Sequence, residues 1–179
     1  AKAGLRTYIN MTQEITNLIK GLKNKNVLKF GEFTLRSGIK SNYYCDIKEA
    51  LGDPDLLLKM ASGLIRIVPR NTTCIAGAGY GGITLASLVS YRLKLPLTLV
   101  RNEAKNYGTK KIIDGYLPNN KDKICIVDDV FTTGSSIEDI KEKLATTKAK
   151  FARPVVVLNR SNDKKIISLL KDKDIFMQS

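Results

Sequence analysis

Residues 124–136, Ile-Cys-Ile-Val-Asp-Asp-Val-Phe-Thr-Thr-Gly-Ser-Ser, restrict the fold more than any other stretch of this chain. Ile124 to Val127 is a run of four apolar residues, which reads as a buried strand. Two carboxylates, Asp128 and Asp129, follow at once, and the turn Thr132-Thr133-Gly134-Ser135-Ser136 then opens a helix. In such a turn, backbone N–H groups and hydroxyls converge at a helix N-terminus, and Gly134 permits the tight backbone, which is the physics of a phosphate cradle. The block contains neither the Gly-Lys-Ser/Thr of a Walker loop nor a dinucleotide fingerprint.

The acids narrow the ligand. A carboxylate facing a phosphate at close range in a partly dry site is repelled by several kcal/mol. Asp128 and Asp129 must therefore point at hydrogen-bond donors or positive charge, and sugar hydroxyls and Mg²⁺ are the natural candidates. A phosphate with a diol a few ångströms away is a ribose 5-phosphate. An ordinary N-cap before a helix would not require two adjacent acids plus the Thr/Gly/Ser turn. The block closely resembles the phosphoribosyl-diphosphate (PRPP) signature of type I phosphoribosyltransferases. The resemblance implies that Asp128 and Asp129 hold the ribose 2′ and 3′ hydroxyls and contact any metal directly or through PRPP and water. It gives the 5′-phosphate to Thr132, Thr133, Gly134, Ser135 and Ser136, and puts Thr132 within reach of the base.

Three further blocks extend the resemblance. Residues 27–46, from Val27-Leu28-Lys29-Phe30-Gly31-Glu32-Phe33-Thr34-Leu35-Arg36-Ser37-Gly38 to Tyr43-Tyr44-Cys45-Asp46, look like the N-terminal hood of orotate phosphoribosyltransferases, F-G-x-F-x-L-[KR]-S-G-x-x-S-x-Y. Without that family the segment reads as a hairpin with core aromatics. With it, Arg36 is the basic residue near base and PRPP, and Tyr44 and Cys45 line the orotate site. An aromatic face beside a cation suits a flat, carboxylated base. Arg101-Asn102-Glu103-Ala104-Lys105-Asn106-Tyr107-Gly108-Thr109 resembles the family's catalytic loop. The resemblance implies that Arg101, Lys105 and Tyr107 engage PRPP in a neighbouring subunit, and hence a homodimer with the loop shared across subunits. Ala76-Gly77-Ala78-Gly79-Tyr80-Gly81-Gly82 matches the diphosphate loop, with Tyr80 and Gly81 at PRPP, although a plain strand–helix turn would read the same way. Arg160, after Leu158-Asn159, matches the arginine that pairs with the base. Many members of the family carry Lys where Gly81 stands, a second cation where Asn102 stands and His where Tyr107 stands, so this chain has less positive charge at the diphosphate.

The chain has 179 residues, 43% of them hydrophobic, enough for one domain with a real core. It has no histidine, which removes Ser-His-Asp triads, Cys-His pairs and His-ligated metals. The three cysteines fit no zinc spacing or disulfide framework, and Cys74 and Cys125 lie in apolar runs that read as core. No apolar run is long enough to span a membrane, and Ala1-Lys2-Ala3-Gly4 lacks a secretory pattern, so a cytoplasmic setting is expected. The net charge of +13 fits nucleic acid, a phosphorylated metabolite or a lysine-rich solvated surface.

Periodicity predicts a first helix from about Thr12 (Ile15, Leu18, Ile19, Leu22), a hairpin broken at Gly31-Glu32, and a helix capped by Asp53-Pro54. Strands are expected at 73–76, 97–100, 123–127 and 155–158. Helices are expected at about 83–93, 136–148 and 164–170, with an aperiodic polar stretch between Arg101 and Gly115. Alternating strands and helices imply an α/β fold with an open, mostly parallel sheet flanked by helices, the type I phosphoribosyltransferase fold. The expected organisation is a single domain over 1–179, with 1–50 forming the N-terminal helix and hood. The glycine loop, Arg101, the acid pair and Arg160 then all fall at carboxyl ends of parallel strands, where open α/β sheets bind ligands.

The resemblance implies transfer of the 5-phosphoribosyl group from PRPP to orotate, a step of pyrimidine (UMP) synthesis, with Mg²⁺ as cofactor. Arg101, Lys105, Asp128 and Asp129 are the expected catalytic residues, with no membrane and no nucleic acid as partner. Two other readings stand beside it: a non-catalytic PRPP-fold regulator that binds nucleic acid, favoured by the +13 charge, and the same transfer to a different base.

Overall fold

The computed structural model describes residues 2–34, 40–103 and 111–160, with side chains from residue 13 onward. It divides into two compact units, one on residues up to Met60 and one from Ala61 onward.

In the first unit, α1 (Lys2–Asn24) precedes an antiparallel hairpin of β1 (Leu28–Thr34) and β2 (Lys40–Cys45). Ile15, Leu18, Ile19 and Leu22 form the buried stripe that the spacing predicts. The helix starts ten residues earlier than expected, so Thr12 lies inside it. The hairpin also differs. Gly31-Glu32 is not its turn: β1 runs through both residues, and its register against β2 shifts between Phe30 and Phe33. This is a β-bulge, the other thing a glycine inside a strand signals. On β2, Tyr43 is fully buried and Tyr44 exposed, as strand alternation requires. Phe33 and Tyr44 lie against each other, with ring centroids 5.7 Å apart. After the short α2 (Ile47–Ala50), α3 (Pro54–Ile67) begins at Asp53, whose Oδ1 accepts from the N–H groups of Asp55 and Leu56 at 3.1 Å. The predicted N-cap is present.

The second unit is built on β3 (Cys74–Ala78), α4 (Gly79–Leu93), β4 (Leu97–Val100), β5 (Ile113–Gly115), β6 (Lys123–Phe131), α5 (Ser135–Leu144), β7 (Lys150–Phe151) and β8 (Val155–Asn159). The strand order is β5-β4-β3-β6-β7, and β8 pairs with the later half of β6, on Val127 to Phe131. All pairings are parallel except β4 with β5. The sheet is therefore open and mostly parallel, as expected. Ile137, Ile140 and Leu144 of α5 pack with Cys74, Ala76, Ile124 and Ile126 of the sheet, while α4 packs on β3 and β6. Burial pushes the Cys74 thiol up to about 11 and the Cys125 thiol up to about 12, so both stay protonated as core residues.

Several boundaries differ from the sequence reading, among them the end of α5 at Leu144 where a helix to about 148 was expected. β6 continues four residues past Val127, so both aspartates are strand residues. α4 begins at Gly79, so no separate glycine loop stands between strand and helix. Part of the polar stretch returns as β5 along β4. The predicted helix at 164–170 lies outside the described residues.

Candidate active site

The carboxyl ends of β3, β4, β6 and β8 share one edge of the sheet, because these strands are parallel. β3 runs into α4, β4 into Arg101, β6 through Asp128 and Asp129 into the turn before α5, and β8 into Arg160. The Arg160 N–H donates to the Phe131 carbonyl at 2.7 Å. That bond sets the arginine beside the last residue of β6, next to Thr132.

Two helices start at this edge, and neither N-cap residue supplies a side-chain cap. The N-cap of α4 is Ala78 and that of α5 is Gly134. In the other unit, α2 and α3 are each capped by an aspartate. A first turn without a cap from its N-cap residue leaves N–H groups and the positive end of the helix dipole available to an anion, while in α5 the Ser135 N–H donates to Thr133 Oγ1 at 3.4 Å. Gly134 takes φ +86°, and a Cβ there would meet the Phe131 ring at 3.0 Å, so the turn requires glycine. Thr132, Thr133, Ser135 and Ser136 are exposed around it, and the Thr133 hydroxyl donates to Ser135 Oγ at 3.2 Å. Asp128 shares with this turn a small cavity of about 10 Å³.

Asp128 and Asp129 are 9% and 8% exposed. Each gives one oxygen to the next backbone N–H: Asp128 Oδ1 to Asp129 at 2.9 Å, and Asp129 Oδ1 to Val130 at 2.8 Å. Both lean on the first turn of α4. A Cβ on Gly81 would overlap the Asp129 carboxylate, and one on Gly82 would meet Asp128 Oδ1 at 3.1 Å. The glycines here serve close approach of helix and acid pair. Gly77, Gly79 and Gly82 also have a G-x-G-x-x-G spacing, running from within β3 into the first turn of α4, overlooked when the stretch is read as a plain glycine loop.

Gly79, Tyr80, Arg101, Glu103 and Asp114 line a larger cavity of about 420 Å³ at the ends of β3 and β4. Arg101 forms an ion pair with Asp114, and its buried Nε has no acceptor among the described residues. Asp114 carried no role in the sequence reading, since only the fold brings β5 back beside Arg101. Asp128, Asp129, Thr132, Thr133, Gly134, Ser135, Ser136, Tyr80, Gly81, Arg101 and Arg160 thus belong to one unit. Tyr44 and Cys45 belong to the other, at the end of β2. Arg36, Lys105 and Tyr107 lie outside the described residues.

Residues 55–176 match the family model of the phosphoribosyl transferase domain. The chain is 37% identical over 161 residues to the orotate phosphoribosyltransferase of Methanosarcina mazei, covering 89% of this chain and 86% of that protein. The chain belongs to the orotate phosphoribosyltransferase family. Another relative, from Methanocaldococcus jannaschii, is 37% identical and covers 81% of this chain and 82% of its own. The fold agrees: the crystal structure of orotate phosphoribosyltransferase from Aeropyrum pernix superposes with a TM-score of 0.68 at 26% identity, covering 84% of this chain and 86% of that one. The β6–α5 turn with its two acids stands at the carboxyl edge of the sheet.

Proposed function

We propose that the chain transfers the 5-phosphoribosyl group from PRPP to orotate, giving orotidine 5′-phosphate and diphosphate. One observation carries this reading: an acid pair and an uncapped helix N-terminus lie on one continuous strand–turn–helix at the ligand-binding edge of the sheet.

In this reading the first-turn amides of α5 and the hydroxyls of Thr132, Thr133, Ser135 and Ser136 take the 5′-phosphate around Gly134. Asp128 and Asp129 accept from the ribose diol. Bond breaking at the anomeric carbon leads bond making by the base nitrogen, so positive charge develops on the ribose and negative charge on the departing diphosphate. The acid pair stabilises the first, and Arg101, Lys105 and Tyr107 meet the second, with Tyr80 and Gly81 at the start of α4. The family pattern gives the base to Arg36, Tyr44, Cys45, Thr132 and Arg160. Catalysis is then mainly positioning and electrostatics.

Mg²⁺ fits this chain as a partner of the substrate. Among the described residues no group of three or more His, Cys, Asp or Glu forms a cage for an ion. Mg²⁺ bound to phosphates needs only one or two protein carboxylates, and Asp128 and Asp129 are the pair at hand, directly or through ribose and water. When bound, the ion neutralises charge on the diphosphate.

The reading extends to a homodimer sharing the catalytic loop across subunits, each chain being a single transferase domain with its hood in the first 50 residues. Tyr80 and Tyr91, on one face of α4, are 87% and 78% exposed, which suits a partner chain there. A cytoplasmic setting suits Cys74 and Cys125, which stay as protonated thiols in the core. Mixing the protein with PRPP, Mg²⁺ and orotate and following loss of orotate absorbance tests the activity. Turnover with orotate is expected. No turnover, with salt-sensitive nucleic-acid binding instead, would favour the regulator that the +13 charge allows.

A further inference from the structure

Helix α5 does more than carry the phosphate turn. Lys143, near its end, has a side chain only 15% exposed. An ammonium group so enclosed needs partners. Its Nζ donates to the Asp139 carboxylate at 2.6 Å and to the backbone carbonyl of Asn102 at 2.9 Å. The first is an i,i+4 pair of the kind that any helix can make, and such pairs contribute little alone. The second joins residues 41 positions apart and reaches the chain just beyond β4.

Asn102 directly follows Arg101. The Arg101 N–H donates to the Ile112 carbonyl at 2.9 Å, and its guanidinium is paired with Asp114. The lead-in to β5 therefore holds Arg101 on one side, and α5 holds the next residue on the other. We infer that Lys143 is a positioning residue: it fixes the backbone at 101–102 on its own chain, so that Arg101 is presented in one position to the diphosphate it meets in the neighbouring subunit. This rests on the reading of Arg101 as a diphosphate ligand. A cation delivered across subunits is placed accurately only if its own backbone is held, and positioning of this kind is where such a reaction gains its rate. The bond uses a backbone carbonyl, so any residue type at position 102 can receive it, and the neutral Asn102 does.

The test is a set of variants assayed at steady state, with PRPP affinity measured separately by calorimetry. Lys143→Met is expected to raise the KM and Kd for PRPP about tenfold, with the KM for orotate unchanged. Lys143→Arg, which keeps a charged donor, is expected to restore most of the loss. Asp139→Asn removes only the intrahelical pair and is expected to keep wild-type PRPP affinity. In an Arg101→Ala background, Lys143→Met should add nothing, because it acts through that arginine. Unchanged PRPP affinity in Lys143→Met, or a full additional loss on top of Arg101→Ala, overturns the inference while leaving the transferase reading intact. A wild-type protein that neither binds nor turns over PRPP overturns both.

Discussion

Asp129 occupies the space into which a side chain at position 81 would grow. The two positions are therefore not independent: glycine at 81 lets the carboxylate rest on the first turn of α4. Gly81→Ala is expected to force the carboxylate aside at a cost of roughly 1–3 kcal/mol in stability and to weaken PRPP binding. Thermal melts and calorimetry check the two effects separately, and a variant indistinguishable from wild type in both would show that Asp129 moves freely. That a buried strand carries two acids into a Thr/Gly/Ser turn and then a helix was legible in the sequence, because apolar run, acids and turn residues stand in one block. The contact between Gly81 and Asp129 was not. It joins residues 48 positions apart through the side-by-side pairing of β3 with β6, which no local pattern encodes.

At the scale of elements, the edge opposite the site is tied by one carboxylate. Asp122 accepts from the Thr73 hydroxyl at 2.8 Å, and from the Tyr116 hydroxyl and the Asn119 N–H at 2.9 Å. It thereby joins the lead-ins to β3 and β6 to the exit from β5. Burial alone would raise its pKa, but these bonds outweigh burial and hold it below the ordinary value of 3.8. The unfolded chain then binds the proton more readily than the native one. The stabilisation is complete above that ordinary value and is lost as pH falls through the lowered one. Asp122→Asn is expected to cost roughly 1–3 kcal/mol near neutrality and to flatten the fall in Tm between about pH 5 and pH 2. Melts across that range decide it, and a variant whose acid limb matches wild type would contradict the assignment. Asp53, also lowered by backbone bonds from α3 and by Lys25, acts in the same direction, so the flattening is partial.

The elements themselves were unevenly legible. β4 and the cap of α3 could be read directly, since Pro96 and Asp53-Pro54 mark their starts. The beginning of α4 could not, because four glycines within six residues oppose a helix by propensity. Tertiary packing overrides that where β3 and β6 demand close approach. The apolar spacing that begins at Ile15 put the helix start near Thr12, yet the helix runs through that residue from Lys2. Gly31 marked an irregularity correctly but not its kind.

For the whole molecule, the order of strands turns scattered motifs into a site. Blocks near residues 79, 101, 129 and 160 meet at one edge only because β3, β4, β6 and β8 run parallel. That edge presents two uncapped helix ends beside two aspartates, a charge pattern that matches a phosphorylated sugar better than a bare polyanion. The net charge of +13 gives such a ligand a favourable field but does not choose it. A crystal structure of the protein with PRPP tests this most directly. The account predicts the 5′-phosphate on the amides of residues 132–136, with the ribose diol against Asp128 and Asp129. The contradicting result is PRPP bound elsewhere, the turn around Gly134 vacant, and both carboxylates still resting on the first turn of α4.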